Sequence, residues 1–367
     1  MEEKDKRPKA VALLSGGLDS TLAILVLLRQ GVDVHAITFL THFGCDITDS
    51  SSCSRDPFPA ARKFGFQLKL AHLADKFFEI VKNPKFGHGK NMNPCVDCRI
   101  LMLREAKTYM ELIGADFLVT GEVLGQRPMS QRRDSFPLID REAGVAGLVL
   151  RPLSAKLLPE TIPEREGLVD RERLFGFRGR TRRPQMALAE KLGLTEYPTP
   201  AGGCLLTEPT YAWRLRELLE HNPGPSLRDI ELLRTGRHFR LSREARLIVG
   251  RNHEENEKIA ALTEPGDTVL TVEGVGSPLS LLAGRSDVKT LRRAAEITAR
   301  YSDAKGLPAV KVTVRRDDYI SYLTVPPAVN DILDELRIAA PEGGKKWRKR
   351  KRRAEVPRRE EVSLSHI

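Results

Sequence analysis

The sequence predicts an α/β protein: a doubly wound parallel sheet, then a second, smaller α+β domain and a basic disordered tail. Three observations carry this. Over residues 1–210, short apolar runs alternate with helical stretches, as in parallel strands joined by crossover helices. The first run, Val11-Ala12-Leu13-Leu14, leads into Ser15-Gly16-Gly17-Leu18-Asp19-Ser20-Thr21 and then into an apolar stretch over 22–28. That order reads as buried strand, tight glycine turn and helix. Beyond about residue 225 the texture changes to short strands with fewer helices, and residues 345–353 are basic except for Trp347.

In the first unit, strands are expected over 10–14, 34–40, 67–71, 117–120 and 147–151. Helices are expected near 20–30, 58–65, 74–83, 96–113 and 184–193. In a doubly wound sheet, ligands gather at the carboxyl ends of the strands. The strand ends near Ser15 and Thr41 and the one closing on Thr120, followed by Gly121-Glu122, should therefore share a pocket. A helix over 211–221 precedes the breaker Asn222-Pro223-Gly224-Pro225 and is expected to link the two units. The second unit, 225–338, should hold strands near 237–241, 245–250, 267–272, 280–283 and 310–314, with helices over 254–262 and 288–302. The tail runs from 339 to 367.

The glycine turn carries chemistry. Free backbone N–H groups at the start of a helix suit a phosphate, and Gly16 and Gly17 let a ligand approach the backbone without a Cβ in the way. Ser15, Ser20 and Thr21 add hydroxyls, and Asp19 can cap the helix or hold magnesium. No lysine is present in the turn, so it is not the GxxxxGK[ST] loop.

The chain has 367 residues, 41% of them hydrophobic, and a net charge of +11. This is enough for two cores and suggests a polyanionic partner. No apolar run reaches the roughly 18–20 residues of a membrane span, and the charged start MEEKDKRPKA does not read as a secretory signal. A cytoplasmic protein without a membrane partner is expected. Residues 342–367 hold ten Lys/Arg against four acids. An arm of that kind, including Lys345, Lys346 and Arg348, can neutralise nucleic-acid phosphates or simply solvate the chain.

Five cysteines in such a chain point to metal or redox chemistry rather than to a disulfide framework. Cys95-Val96-Asp97-Cys98 opens a helix behind Pro94, where the helix terminus should lower thiol pKa values. Cys204 follows Ala201-Gly202-Gly203 and can bring a third thiol alongside. Three cysteines can hold an iron–sulfur cluster with one open iron, or a zinc with one open position. Cys45 and Cys53 read as ordinary loop thiols, and His88 as a loop residue rather than a ligand.

The segment from Ser15 to Ser20 resembles the pyrophosphatase loop (PP-loop) of the ATP pyrophosphatases, with their adenine nucleotide α-hydrolase-like fold. That resemblance implies ATP and Mg2+ at Ser15, Gly16, Gly17, Leu18, Asp19, Ser20 and Thr21, a second-strand end near Phe39 and Thr41 against adenine, and Gly121 on the rim. Asn93-Pro94-Cys95-Val96-Asp97-Cys98-Arg99, Gly121-Glu122 and Leu150-Arg151-Pro152-Leu153 resemble the tRNA thiouridine synthetases over about residues 8–210. Where the 2-thiouridylase pattern has Asp-x-x-Cys, this chain has Cys95 in place of the aspartate. The resemblance then extends to the iron–sulfur tRNA thiolases, implying a 4Fe–4S cluster on Cys95, Cys98 and Cys204. A persulfide relay between Cys98 and Cys204, or zinc, are the other readings. The implied reaction is uridine thiolation, with Asp19 and the three cysteines as its catalytic residues. Its implied partners are tRNA and a sulfur donor, either sulfide or a cysteine desulfurase, and a homodimer is compatible with the chain.

Arg127, Arg132 and Arg133 follow the Gly121 strand end and are candidates for ATP phosphate or tRNA backbone, as are Arg151 and Lys156. Arg178, Arg180, Arg182 and Arg183 form a denser basic run suited to nucleic acid. Residues 225–330, from Gly236-Arg237-His238-Phe239-Arg240 through Arg251-Asn252, resemble the RNA-binding domain of the NFACT family. Arg237, His238, Arg240, Arg251 and Asn252 are its candidate RNA donors.

Overall fold

A computed structural model describes residues 7–43, 56–197 and 204–340. Cys45, Cys53, the glycines before Cys204 and the tail, with Lys345, Lys346 and Arg348, lie outside the described residues.

The first unit starts with β1 (Lys9–Leu13), α1 (Leu18–Leu28), β2 (Asp33–Leu40), α2 (Phe58–Phe64), β3 (Gln67–His72), α3 (Ala74–Lys82) and α4 (Cys95–Leu112). It continues with β4 (Phe117–Thr120), α5 (Ser135–Glu142), β5 (Val149–Leu150), α6 (Ile162–Arg165), α7 (Arg183–Lys191) and α8 (Pro209–His221). Every pairing is parallel, in the order β3-β2-β1-β4-β5. β1 is buried along almost its whole length, as expected of a central parallel strand with helices on both faces. Alternate residues serve two cores. Ala10 and Ala12 join α1 and α7 on one face, whereas Val11 and Leu13 join α3, α4 and α8 on the other.

The short α5 and α6 were not anticipated; neither has room for a long apolar period. The expected linker helix α8 packs instead on the first unit, since Tyr211, Ala212, Leu215 and Leu218 share a core cluster with Val11 and α4.

The second unit comprises α9 (Leu227–Leu232), β6 (Arg237–Arg240), β7 (Ala245–Val249), α10 (His253–Ala261), β8 (Thr268–Val272), β9 (Ser280–Gly284), α11 (Val288–Arg300), β10 (Val310–Arg316), β11 (Tyr319–Val325) and α12 (Asn330–Leu336). Its six strands pair antiparallel in the order β11-β10-β8-β9-β7-β6. β11 went unread because a two-residue turn joins it to β10 and its residues are mostly exposed, which removes the apolar alternation.

His238 is buried in β6, donating from Nε2 to the Thr235 carbonyl at 2.8 Å, while Nδ1 has no partner. Burial, then the nearby Arg214 and Arg246 charges, push it well below its ordinary value of 6.5. The unfolded chain therefore takes up this proton first. The stabilisation is fully present above pH 6.5 and is lost as pH falls below that, with a slope of at most about 1.4 kcal/mol per pH unit. Urea unfolding across that range should show this slope, and His238→Gln should flatten it.

Candidate active site

β1 ends at the point where the sheet order reverses, with β2 on one side and β4 on the other. This is the switch point at which open α/β sheets bind ligands. The 15–21 loop turns here. Gly16 takes φ +69°, a conformation that disfavours a Cβ. The hydroxyls close the turn: the Ser15 N–H donates to Ser20 Oγ at 3.2 Å, and Ser20 Oγ and Thr21 Oγ1 donate to the Gly17 carbonyl at 3.0 and 3.1 Å. The first-turn N–H groups of α1 are left for an anion.

The end of β4 lies directly against this loop. A Cβ on Gly121 would stand 2.4 Å from Ser20 N and 2.5 Å from Ser20 Cα, both backbone atoms that cannot yield. Gly121→Ala is expected to displace the loop and weaken ATP binding about 10- to 100-fold, at an overpacking cost of about 1–3 kcal/mol. Isothermal titration calorimetry measures this.

Asp19 Oδ2 accepts from Gln126 Nε2 at 2.9 Å, while its buried Oδ1 has no hydrogen-bond partner. An orphaned carboxylate oxygen beside a phosphate loop fits a magnesium ion carried in with nucleotide phosphates. Gln126 was not singled out in the sequence; its only signal was a place in the loop that follows the end of β4. Thr41 is buried and accepts the Phe43 N–H. Phe39, expected near adenine, is buried with its ring in the core, so only its backbone faces the strand end.

The 121–131 loop runs from the nucleotide loop towards the cysteines. Arg127 is close enough to Cys95 to act on its charge, and Met129 packs over Gly89. Cys95 and Cys98 open α4 as expected. Asp97 between them is structural, accepting the Lys85 and Phe86 N–H groups at 3.0 and 3.1 Å. Contrary to the helix-terminus expectation, the Cys95 thiol is pushed up by burial, against the pull of Arg99 and Arg127. Partial burial removes the water that would solvate a thiolate. Cys204 sits where the 204–207 turn bonds back to the loop before α4, through Met92 N to Leu206 O at 3.1 Å and Asn91 Nδ2 to Thr207 O at 2.8 Å. Its Sγ lies 3.9 Å from the Phe43 carbonyl.

None of the three cysteines is in a disulfide, and each is half-buried. Among the described residues, no group of three or more His, Cys, Asp or Glu side chains is close enough to hold a metal ion. As arranged, these residues do not fit a 4Fe–4S cluster or a three-cysteine zinc site. His88 is a loop residue, with Nε2 donating to the Val81 carbonyl at 2.8 Å.

Arg151 is not a phosphate-binding residue. It is buried, clamps Asp140 in two hydrogen bonds of 2.9 and 2.7 Å, and donates to Glu122 Oε2 at 3.1 Å. Glu122 Oε1 lies 3.4 Å from Arg99 Nε, so a four-charge network joins the β4 end to α4. Burial pushes the Asp140 carboxyl up and Arg151 pulls it back. Lys156 pairs with Glu172, Arg132 with Asp134, and Arg133 donates to the Leu157 carbonyl.

Arg178 and Arg180 are exposed beside the site, because Gly179 N donates to the Leu124 carbonyl at 2.7 Å and Arg178 bridges to Leu124. Arg182 and Arg183 begin α7 just beyond.

The sheet order, the 15–21 loop and the strand-end glycine have the arrangement expected of a PP-loop nucleotide-binding domain. Residues 6–156 match the family described as "Thiamine biosynthesis protein (ThiI)", and residues 236–336 match "NFACT protein RNA binding domain". Over those two stretches the chain is similar to the ThiI family and to the NFACT RNA-binding domain respectively. It is similar to the "tRNA-specific 2-thiouridylase MnmA" of Syntrophotalea carbinolica, 32% identical over 32% of this chain and 35% of that one. It is also similar to a "Probable tRNA sulfurtransferase" of Thermococcus kodakarensis, 29% identical over 40% of this chain and 36% of that one. A solved 4-thiouridine synthetase–RNA complex with bound ATP shares 25% identity at a TM-score of 0.32, over 51% of this chain and 50% of that one. The chain thus spans little more than a third of the length of the two curated relatives described.

Proposed function

We propose that this chain thiolates a uridine of tRNA at the expense of ATP. The observation that carries it is the 121–131 loop, which joins a nucleotide loop containing an orphaned Asp19 oxygen to a pair of half-buried cysteines. The match to the thiouridine synthetase type supports the same reading. The uridine leaves its stack to enter the site, and its carbonyl oxygen attacks the α-phosphorus of ATP. The first-turn N–H groups of α1 and the Ser15 and Ser20 hydroxyls stabilise the departing pyrophosphate. Magnesium at Asp19 would neutralise phosphate charge. Arg178, Arg180, Arg182, Arg183 and Arg127 line the approach for the tRNA backbone.

Sulfur then displaces AMP from the activated carbon. With no ready metal site among the described residues, we assign the thiols to the persulfide route. A persulfide sulfur on one of Cys98 and Cys204 attacks the carbon and AMP leaves. The other cysteine's thiolate then attacks the first cysteine's own Sγ and breaks its bond to the transferred sulfur, so that thiouridine leaves and a Cys98–Cys204 disulfide remains for an external thiol to reduce. The donor is a cysteine desulfurase, whose own persulfide passes its outer sulfur to a cysteine thiolate, or sulfide, which balances by opening the Cys98–Cys204 disulfide in place of the external thiol to give one persulfide and one thiol. The reducing cytoplasm is the compartment that keeps these cysteines out of stable disulfides. Among the described residues no helix is long and apolar enough to cross a membrane.

ATP–pyrophosphate exchange that requires tRNA supports this reading, and exchange indifferent to tRNA overturns it. An absorption spectrum of anaerobically purified protein checks the sulfur half, because a broad band near about 400 nm would restore the 4Fe–4S cluster.

A further inference from the structure

The RNA donors expected in the second unit are committed elsewhere. Arg240 pairs with Glu217 of α8 at 2.5 Å, Arg251 pairs with Glu255, and Asn252 caps α10. His238 is buried, and Arg237 is half-buried against the Tyr301 ring. An RNA-binding domain whose obvious donors are used internally must offer another surface.

The sheet shows where that surface lies. One face is covered by α11 and α12, which pack on Leu270, Val272, Val310, Val312 and Val314. On the opposite face a smaller cluster around Ile248, Ile259, Val269 and Leu281 lies under α10. The β10–β11 end of that face is open. Strand alternation points Lys311, Thr313 and Arg315 outward, and their register partners are Thr324, Tyr322 and Ile320. Ile320 and Tyr322 are 55% and 51% exposed, and Lys311 Nζ stands 4.0 Å from the Tyr322 ring centroid.

We propose that this open face, built on Tyr322, Ile320, Lys311 and Arg315, is a platform for an unpaired stretch of RNA. A base stacks on Tyr322 beside Ile320, while Lys311 and Arg315 take phosphates. Aromatic rings interleaved with cations are what single-stranded nucleic acid requires, since every base has a π-face and every linkage a charge. Among the described residues neither Lys311 nor Arg315 forms an ion pair. Two acids of this region are engaged, Glu273 accepting from the Thr313 hydroxyl at 2.8 Å and Asp317 from the Gly266 N–H at 2.7 Å. β11 is also an edge strand, open to pairing with a second copy. That copy would bring the same positive charge to the face, which favours the polyanion.

This deepens the proposed function, whose RNA is the occupant, but its test needs no turnover. Full-length protein is titrated into a fluorescein-labelled tRNA transcript and a labelled uridine-rich single strand, read by anisotropy. Tyr322→Ala should weaken binding about 5- to 150-fold, the range for one lost base–aromatic stack. Lys311→Ala with Arg315→Ala should reduce the log–log salt slope by about 1.4, and Lys289→Ala on the far face should change neither. All these side chains are exposed, so unchanged circular dichroism is expected. Unchanged affinity and slope in the Tyr322 and double variants overturn the proposal. So does a Tyr322→Ala protein that loses self-association in sedimentation while keeping its RNA affinity. If thiolation fails while these variants still lose RNA, the reaction is wrong and the platform stands. If thiolation proceeds and the variants bind normally, the platform is wrong and the reaction stands.

Discussion

Arg151→Ala is expected to destabilise the first unit by about 3–5 kcal/mol in denaturant unfolding, the usual cost of removing one partner from a buried ion network. The guanidinium is 5% exposed and satisfies Asp140 and Glu122 together, with the Phe136 ring 4.1 Å away. Without it, two buried carboxylates face each other with only Arg99 within reach of Glu122. Asp140, which burial already pushes up, then loses the charge that pulls it back, so the variant loses stability as pH rises and the gap to wild type is larger near neutrality than in mild acid. Adding Glu122→Gln and Asp140→Asn should recover part of the loss, because neutral amides need no counter-charge. If instead the variant unfolds like wild type at every pH, the network has no structural role. Since Glu122 follows Gly121, which touches the nucleotide loop, ATP–pyrophosphate exchange should fall with the fold.

Cys98→Ser and Cys204→Ser are each expected to abolish thiouridine formation while leaving tRNA-dependent exchange near the wild-type rate. The two half-reactions use different atoms: adenylation needs the 15–21 loop and Asp19, whereas sulfur displacement needs a thiol. Serine cannot carry a persulfide, so even a well-positioned hydroxyl contributes nothing to the second step. Cys98 and Cys204 both pack against the cluster that holds β1 and α4, so a conservative replacement should leave the loop in place. Mass spectrometry of digested tRNA measures the first quantity and labelled pyrophosphate incorporation the second. Wild-type thiolation in both variants would remove the cysteines from the reaction. Cys95→Ser separates routes further, since a relay between Cys98 and Cys204 tolerates it and a three-cysteine cluster does not.

Much of the first unit was legible. Strand 117–120 matches residue for residue and the other four fall within about two residues, because buried parallel strands are short apolar runs and their crossover helices have clear breaks. The phosphate loop was legible for a local reason: its glycines, hydroxyls and flanking elements are contiguous. The second unit was read less completely, β11 and the short α9 and α12 being missed. Side-chain roles were the least legible. Arg151 and Arg240 look like free cations in the chain, and nothing local reveals that the carboxylates of Asp140 and Glu217 lie against them.

The sequence by itself determined the parallel sheet, the Ser15–Thr21 loop and the three cysteines, all features carried by neighbouring residues or by a short spacing. Only the tertiary structure decided which charges are spent and which remain. It buried Arg151 and His238, turned the expected linker α8 into core, and committed Arg240 and Arg251 to ion pairs. It left Arg178, Arg180, Lys311 and Arg315 facing solvent. The physical reason is that a charge is settled by whatever folding brings within a few ångströms of it, and those partners lie up to 29 residues away.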